Sequence, residues 1–144
     1  MLIRKFCIFV ITKLNDMKRM RKGLIVEKTY EWCVNKFGTP LKSGIVPDLE
    51  LSKNYKMKGD QGEYSERVIT IYSHNCKTIS ALIRVVIHEY THFLQMPKIN
   101  DMGKYSKLAL TYGYEEHPME IEARESELKH YRTCYAYLKR NGVI

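Results

Sequence analysis

The chain has 144 residues, 44% of them hydrophobic, and a formal net charge of +8. That length suits one domain with a sizeable core, and no apolar stretch approaches the length of a membrane span. Residues 1–58 carry 13 Lys and Arg against 5 Asp and Glu, while residues 59–144 carry 11 of each, so the whole excess is N-terminal. The four cysteines (Cys7, Cys33, Cys76, Cys134) are scattered with no C-x-x-C pair. That spacing excludes a zinc ribbon and suits buried free thiols in a reducing cytoplasm.

The opening eleven residues imitate a signal peptide, with Arg4 and Lys5 before the apolar run Phe6 to Ile11. The run is too short for a signal core and no small-x-small site follows, so it reads as no signal. Residues 1–22 form a basic extension, densest at Lys18, Arg19, Arg21 and Lys22. Basic residues within 4–22 could touch nucleic acid or an acidic partner, and a solvated helix start is the plainer reading. The remaining residues, 23–144, are the folded domain.

Leu24 to Phe37 predicts an amphipathic helix, with Gly38 at its C′ position, Pro40 beyond it and Trp32 as a core anchor. Pro47 to Tyr55 alternates as a half-exposed strand, Lys58 to Gly62 is a turn, and Glu66 to Ser73 is a β-branched second strand. These two strands are expected to pair as a hairpin. A helix follows over Ile79 to Leu94, with Thr78 as N-cap and Met96-Pro97 marking its end. Beyond a looser stretch, in which Tyr105 to Thr111 predicts a short helix, His117-Pro118 opens a long helix to Lys139. The expected fold class is therefore α+β: an N-terminal helix, a small sheet, a central helix and a long C-terminal helix.

The central helix holds His88-Glu89-Tyr90-Thr91-His92, an H-E-x-x-H motif. About one to two per cent of shuffled chains of this composition would contain it by chance, and its apolar, Pro- and Gly-free surroundings make coincidence rarer still. Residues four apart share a helix face, so both rings can aim one nitrogen at a common point. Glu89 lies about 100° round from His88, off that axis but within reach of a bound water. Two buried histidines and a buried glutamate are costly without a partner, and a zinc ion is the partner this pattern suits.

A catalytic zinc takes three protein ligands and keeps one position open. Three later residues compete for the third place: His117, Glu120 and Glu122. At 100° per residue the final helix turns Ala123, Tyr131, Cys134, Tyr135 and Leu138 into one apolar stripe. Glu120 falls in the middle of it, and Glu122 about 160° away. A carboxylate among core residues needs a cation, so Glu120 is the preferred ligand. Arg124 and Glu127 lie near the same face, where they could pair with each other or hold a ligating histidine in place.

The motif together with Glu120-Ile121-Glu122-Ala123 resembles the gluzincin metallopeptidases, which pair H-E-x-x-H with a glutamate from a later helix, often written E-x-x-A. It is also similar to small single-domain peptidases of bacteria and phages, and distantly to the ImmA/IrrE and SprT-like groups. The likeness covers roughly residues 66–127. It implies a minimal zincin-like domain that cleaves a protein or peptide substrate, with Zn2+ on His88, His92 and Glu120 and with Glu89 as general base. SprT-like proteins use a third histidine, which keeps His117 in play. An oxyanion donor is also needed, and Tyr112 and Tyr114 are the candidates. The resemblance further implies that the strand Glu66 to Ser73 is the edge of the substrate cleft. Two other functions compete with a cytoplasmic peptidase: a non-catalytic zinc-stabilised protein binding nucleic acid through its basic segment, and a peptidase recruited to DNA by that segment.

Overall fold

The computed structural model describes residues 2–40, 44–52, 59–98 and 102–144, with side chains omitted for residues 2–17, 98 and 102. In chain order it has α1 (Leu2–Phe37), β1 (Asp48–Ser52), β2 (Gly62–Ser65), β3 (Val68–Tyr72), α2 (Ile79–Gln95), a 3-10 turn (Met96–Lys98), α3 (Met102–Tyr112) and α4 (Pro118–Arg140). The fold is α+β, as expected. No helix among the described residues is long and apolar enough to cross a membrane.

The central element is α2. It packs against α1 and α4 and against strands β2 and β3. Its apolar residues explain this: Leu82, Ile83, Val85, Val86, Ile87, Tyr90 and Phe93 are all buried. They meet Ile25, Val26, Trp32 and Cys33 of α1, Ile69 and Ile71 of β3, and Cys134 and Leu138 of α4 in one core. Each such side chain contributes about 1.5–3 kcal/mol by leaving water. The helix begins at Thr78, whose side chain accepts from the Ala81 amide at 3.0 Å.

The predicted hairpin of the first and second strands is not formed. β1 pairs with β3 in parallel, Asp48 opposite Val68, and β2 pairs with β3 antiparallel, Gly62 opposite Ile71, giving the order β1-β3-β2. The true hairpin is β2–β3. Its two-residue loop is Glu66-Arg67, at φ 50° and 67°, the left-handed pair that suits the twist of a tight hairpin. Neither residue type advertises that conformation, so Glu66 and Arg67 read from sequence as the start of a strand. Gly62, expected in a turn, is instead the first residue of β2. β3 also lies in the middle of the sheet with both edges paired, so it cannot be the free edge of a cleft. β2 is the edge strand on the side of α2. The part of the expected first strand beyond Ser52 lies outside the described residues, as do Asn100 and Asp101 of the predicted looser stretch.

The N-terminal helix is longer than expected. It is continuous from Leu2 to Phe37, so no helix start occurs at Leu24. It closes at Gly38, whose amide bonds the Val34 carbonyl at 2.9 Å and whose φ is 65°, a left-handed cap. Of the basic cluster, Lys18, Arg19 and Arg21 are exposed. Lys22 is used in the fold: its ammonium donates to the carbonyls of Ser73 at 2.8 Å and Cys76 at 2.9 Å, fastening α1 to the turn before α2. Cys33, Cys76 and Cys134 are buried free thiols, as predicted. The side chain of Cys7 lies outside those described.

Candidate metal centre

The polar residues of α2 are spaced for one face. Ser80, Arg84, His88, Thr91, His92 and Gln95 follow intervals of three and four, a stripe along an otherwise apolar helix. That stripe meets α4, where Thr91 donates to the Ser126 hydroxyl at 3.0 Å. α4 starts with His117 as N-cap and Pro118 in its first turn, which sets Glu120 one turn in, facing the two histidines.

His88, His92 and Glu120 converge, each offering one ligand atom within 4.8 Å of the others. His88 Nε2 lies 3.2 Å from Glu120 Oε2, and His92 Nε2 lies 3.3 Å from Oε1 of the same carboxylate. In a tetrahedral zinc site with bonds of about 2.0–2.1 Å, donor atoms stand about 3.3 Å apart; here the two short contacts use different oxygens of one carboxylate. The rings stack edge to face with centroids 4.8 Å apart. Glu120 is only 3% exposed and Glu89 only 6%.

The second nitrogen of each ring is engaged as well. His88 Nδ1 faces Glu127 Oε2 at 3.5 Å, and Glu127 Oε1 accepts from Arg84 at 2.5 Å. Of the two arrangements expected for Glu127, the one found is contact with the His88 ring, and Arg124 pairs with Glu115 instead. His92 Nδ1 meets Gln95 Oε1 at 2.9 Å. With Nδ1 donating on both rings, Nε2 is the nitrogen presented to the centre.

Electrostatics give the site its character. Burial disfavours a charged His88, but bonds to Glu120 and Glu127 outweigh it and lift the pKa to about 9. Glu120 is raised by burial, yet the two imidazoles hold it well below the usual carboxylate range. Glu89 is raised to about 7, mainly by burial, with the charges of His92 and His88 opposing. Glu89, Glu120 and Glu127 all act on His88, and of the three Glu127 also pairs with Arg84. Two imidazole nitrogens and a carboxylate oxygen aimed at one point, inside an excess of negative charge, fit a divalent cation of the zinc class.

The other proposed ligands are otherwise occupied. His117 is fully buried, and both its nitrogens are used: Nδ1 accepts from the Met119 amide at 3.1 Å and Nε2 donates to the Tyr105 carbonyl at 3.3 Å. It serves as a helix cap. Glu122 is exposed and takes a bond from the Gln95 amide at 3.0 Å. Of the two tyrosines singled out, Tyr114 is largely exposed, and partial desolvation with the nearby Glu120 charge pushes its hydroxyl up to about 12. Tyr112 is half exposed at the end of α3, and no contact among the described residues brings it to the cluster.

Sequence reasoning passed over Tyr105, whose hydroxyl donates to Glu120 Oε1 at 3.1 Å while its ring stacks on His117 at 4.2 Å. It also passed over Gln95 and Arg84, although the polar stripe on α2 marks both. Gly62 completes the site: a Cβ there would stand 3.0 Å from Glu89 Cγ and 2.7 Å from Val85 Cγ2, so β2 lies directly on the general-base candidate. Comparison with known proteins finds no family model that matches the chain, no similar curated protein and no matching solved structure.

Proposed function

We propose that the chain is a zinc-dependent metallopeptidase, with His88, His92 and Glu120 holding the metal and Glu89 as general base. The observation that carries this reading is the convergence of two part-buried imidazoles on one buried carboxylate, at 3.2 and 3.3 Å, beside a second buried acid, Glu89, that bonds neither ring. A purely structural site has no use for that extra acid.

Zinc held there supplies Lewis acidity, which makes a water more acidic and a carbonyl more electrophilic. Glu89, with its pKa raised to about 7 by burial, takes the proton of the attacking water and gives it to the leaving amine. The hydroxyl of Tyr105, bonded to Glu120 at 3.1 Å, would be the donor beside a developing oxyanion, with Tyr114 near enough to feel the Glu120 charge. Edge strand β2, lying on Glu89, offers main-chain groups to an extended substrate.

The test is metal content and proteolysis of an unfolded protein substrate, in wild type, Glu120→Ala and Glu89→Gln. The expected result is about one zinc per chain, lost in Glu120→Ala and kept in Glu89→Gln, with cleavage lost in both variants. A folded wild type without zinc, or cleavage that survives Glu89→Gln, overturns the reading.

A further inference from the structure

We infer that Gln95 is a positioning residue, a buried amide that sets the His92 ring and locks it to the start of α4, so that His92 and Glu120 reach the centre as one unit. This rests on the metal-site reading above. Gln95 is the last residue of α2 and three residues beyond His92. A glutamine at a helix end ordinarily reaches into water, yet this one is 1% exposed. Its oxygen meets His92 Nδ1 at 2.9 Å, and its nitrogen meets the Met119 carbonyl at 3.1 Å and Glu122 Oε2 at 3.0 Å.

The partners fix the orientation. A carbonyl and a carboxylate can only accept, so both amide hydrogens point at Met119 and Glu122. The amide oxygen must then face His92, and an oxygen accepts only from a ring N–H. Nδ1 of His92 therefore carries hydrogen, and Nε2, 3.3 Å from Glu120 Oε1, is the nitrogen left for a metal. The same amide holds the carbonyl of Met119, the residue directly before Glu120. His117 holds the Met119 amide at 3.1 Å. The backbone that delivers the third ligand is thus pinned on both sides, once by the ligand-bearing helix itself. The two rings are also braced differently, His88 by a carboxylate and His92 by a neutral amide.

The experiment measures zinc affinity of the full chain by competition with a chromophoric chelator, and the His92 ring tautomer by long-range 15N NMR of the zinc-free chain at alkaline pH, where the imidazole is neutral. Gln95→Leu removes all three bonds at similar volume. It is expected to weaken zinc binding about 10- to 100-fold and to replace the single Nδ1–H form of His92 with a tautomer mixture. The double variant Q95E/E122Q exchanges donor and acceptor between the two side chains. The introduced carboxylate still accepts from His92 and takes a bond from the introduced amide, but it has no hydrogen for the Met119 carbonyl, so this variant is expected to keep the Nδ1–H form of His92 while losing the tie to Met119 at the start of α4. A merely structural glutamine would lower stability in both variants without moving the tautomer. Unchanged affinity and tautomer in Gln95→Leu, or loss of the Nδ1–H form in a folded Q95E/E122Q, overturns the inference while wild-type zinc binding stands. A wild type that binds no zinc overturns the metal-site reading itself.

Discussion

Replacing Gly62 by alanine tests whether the edge strand and Glu89, the proposed general base, are in contact. The added methyl would stand 2.7 Å from Val85 Cγ2, 3.0 Å from Glu89 Cγ and 3.2 Å from the Thr70 carbonyl, where ordinary contacts lie at about 3.5–4.0 Å. Two of these neighbours cannot yield. Val85 is buried and β-branched, held to one rotamer on its helix, and Thr70 contributes backbone from the central strand. Glu89 or the whole of β2 must therefore move. Gly62 is not among the residues of positive φ, so alanine brings no conformational penalty and the cost is steric, about 1–3 kcal/mol by the usual scale of overpacking. None of His88, His92 and Glu120 supplies one of the three atoms nearest the added methyl. Gly62→Ala should thus lose about that much stability in urea, keep its zinc, and lose about 10- to 100-fold in peptidase turnover as Glu89 shifts.

Gly38→Ala is the control. It has open space but a φ of 65°, so it should cost about 1–2 kcal/mol of strain and leave turnover alone. A Gly62→Ala protein as stable and active as wild type would refute the close approach of β2 to Glu89. Loss of zinc with turnover would show that the methyl disturbs the ligands rather than the base.

Three further outcomes are expected. His117→Ala removes a cap and leaves the Met119 amide and the Tyr105 carbonyl unpaired; thermal unfolding should show a loss of about 0.5–2 kcal/mol with zinc retained, and zinc loss would make His117 a ligand. Lys22→Met breaks the bonds to the Ser73 and Cys76 carbonyls, and urea unfolding should register about 1.5–3 kcal/mol; no change would mean the fastening of α1 is solvent-weakened. Burial pushes Cys134 up to about 12 from its usual 9.0. The unfolded chain then binds fewer protons above that lower value, so this thiol's contribution is intact below it and is lost as pH rises toward the higher one, at about 1.4 kcal/mol per unit. The alkaline stability slope of wild type should exceed that of Cys134→Ala by this amount, and equal slopes would count against the buried thiol.

What the sequence made legible follows from where its signals reside. Helix α2 was readable because its evidence is local: an unbroken apolar run, Thr78 before it and Met96-Pro97 after it. Glu120 could be preferred over Glu122 because both sit on one rigid helix, where angle alone separates a stripe residue from a surface one. The sheet was harder. Its pairing turns on Glu66 and Arg67 adopting positive φ, a conformation imposed by the strands they join and not preferred by either residue. The basic segment and α1 were divided at residue 22 by composition, but the backbone passes through that point as one helix.

Contacts between elements were the least readable, and the stripe on α2 shows why. Arg84, His88, Thr91, His92 and Gln95 share a face, and a polar face on a helix at the centre of a core must meet another polar face. That much is within-helix information. Which carboxylate or amide answers each ring depends on how far α4 slides along α2. That sliding is fixed by links such as Thr91 to Ser126, Gln95 to Met119 and Glu127 to His88. Each is a side-chain bond between groups 24 to 39 residues apart, and no periodicity in either segment encodes it. The two histidines of the candidate site are therefore legible as a motif, while the groups that orient them become visible only once the two helices are set against each other.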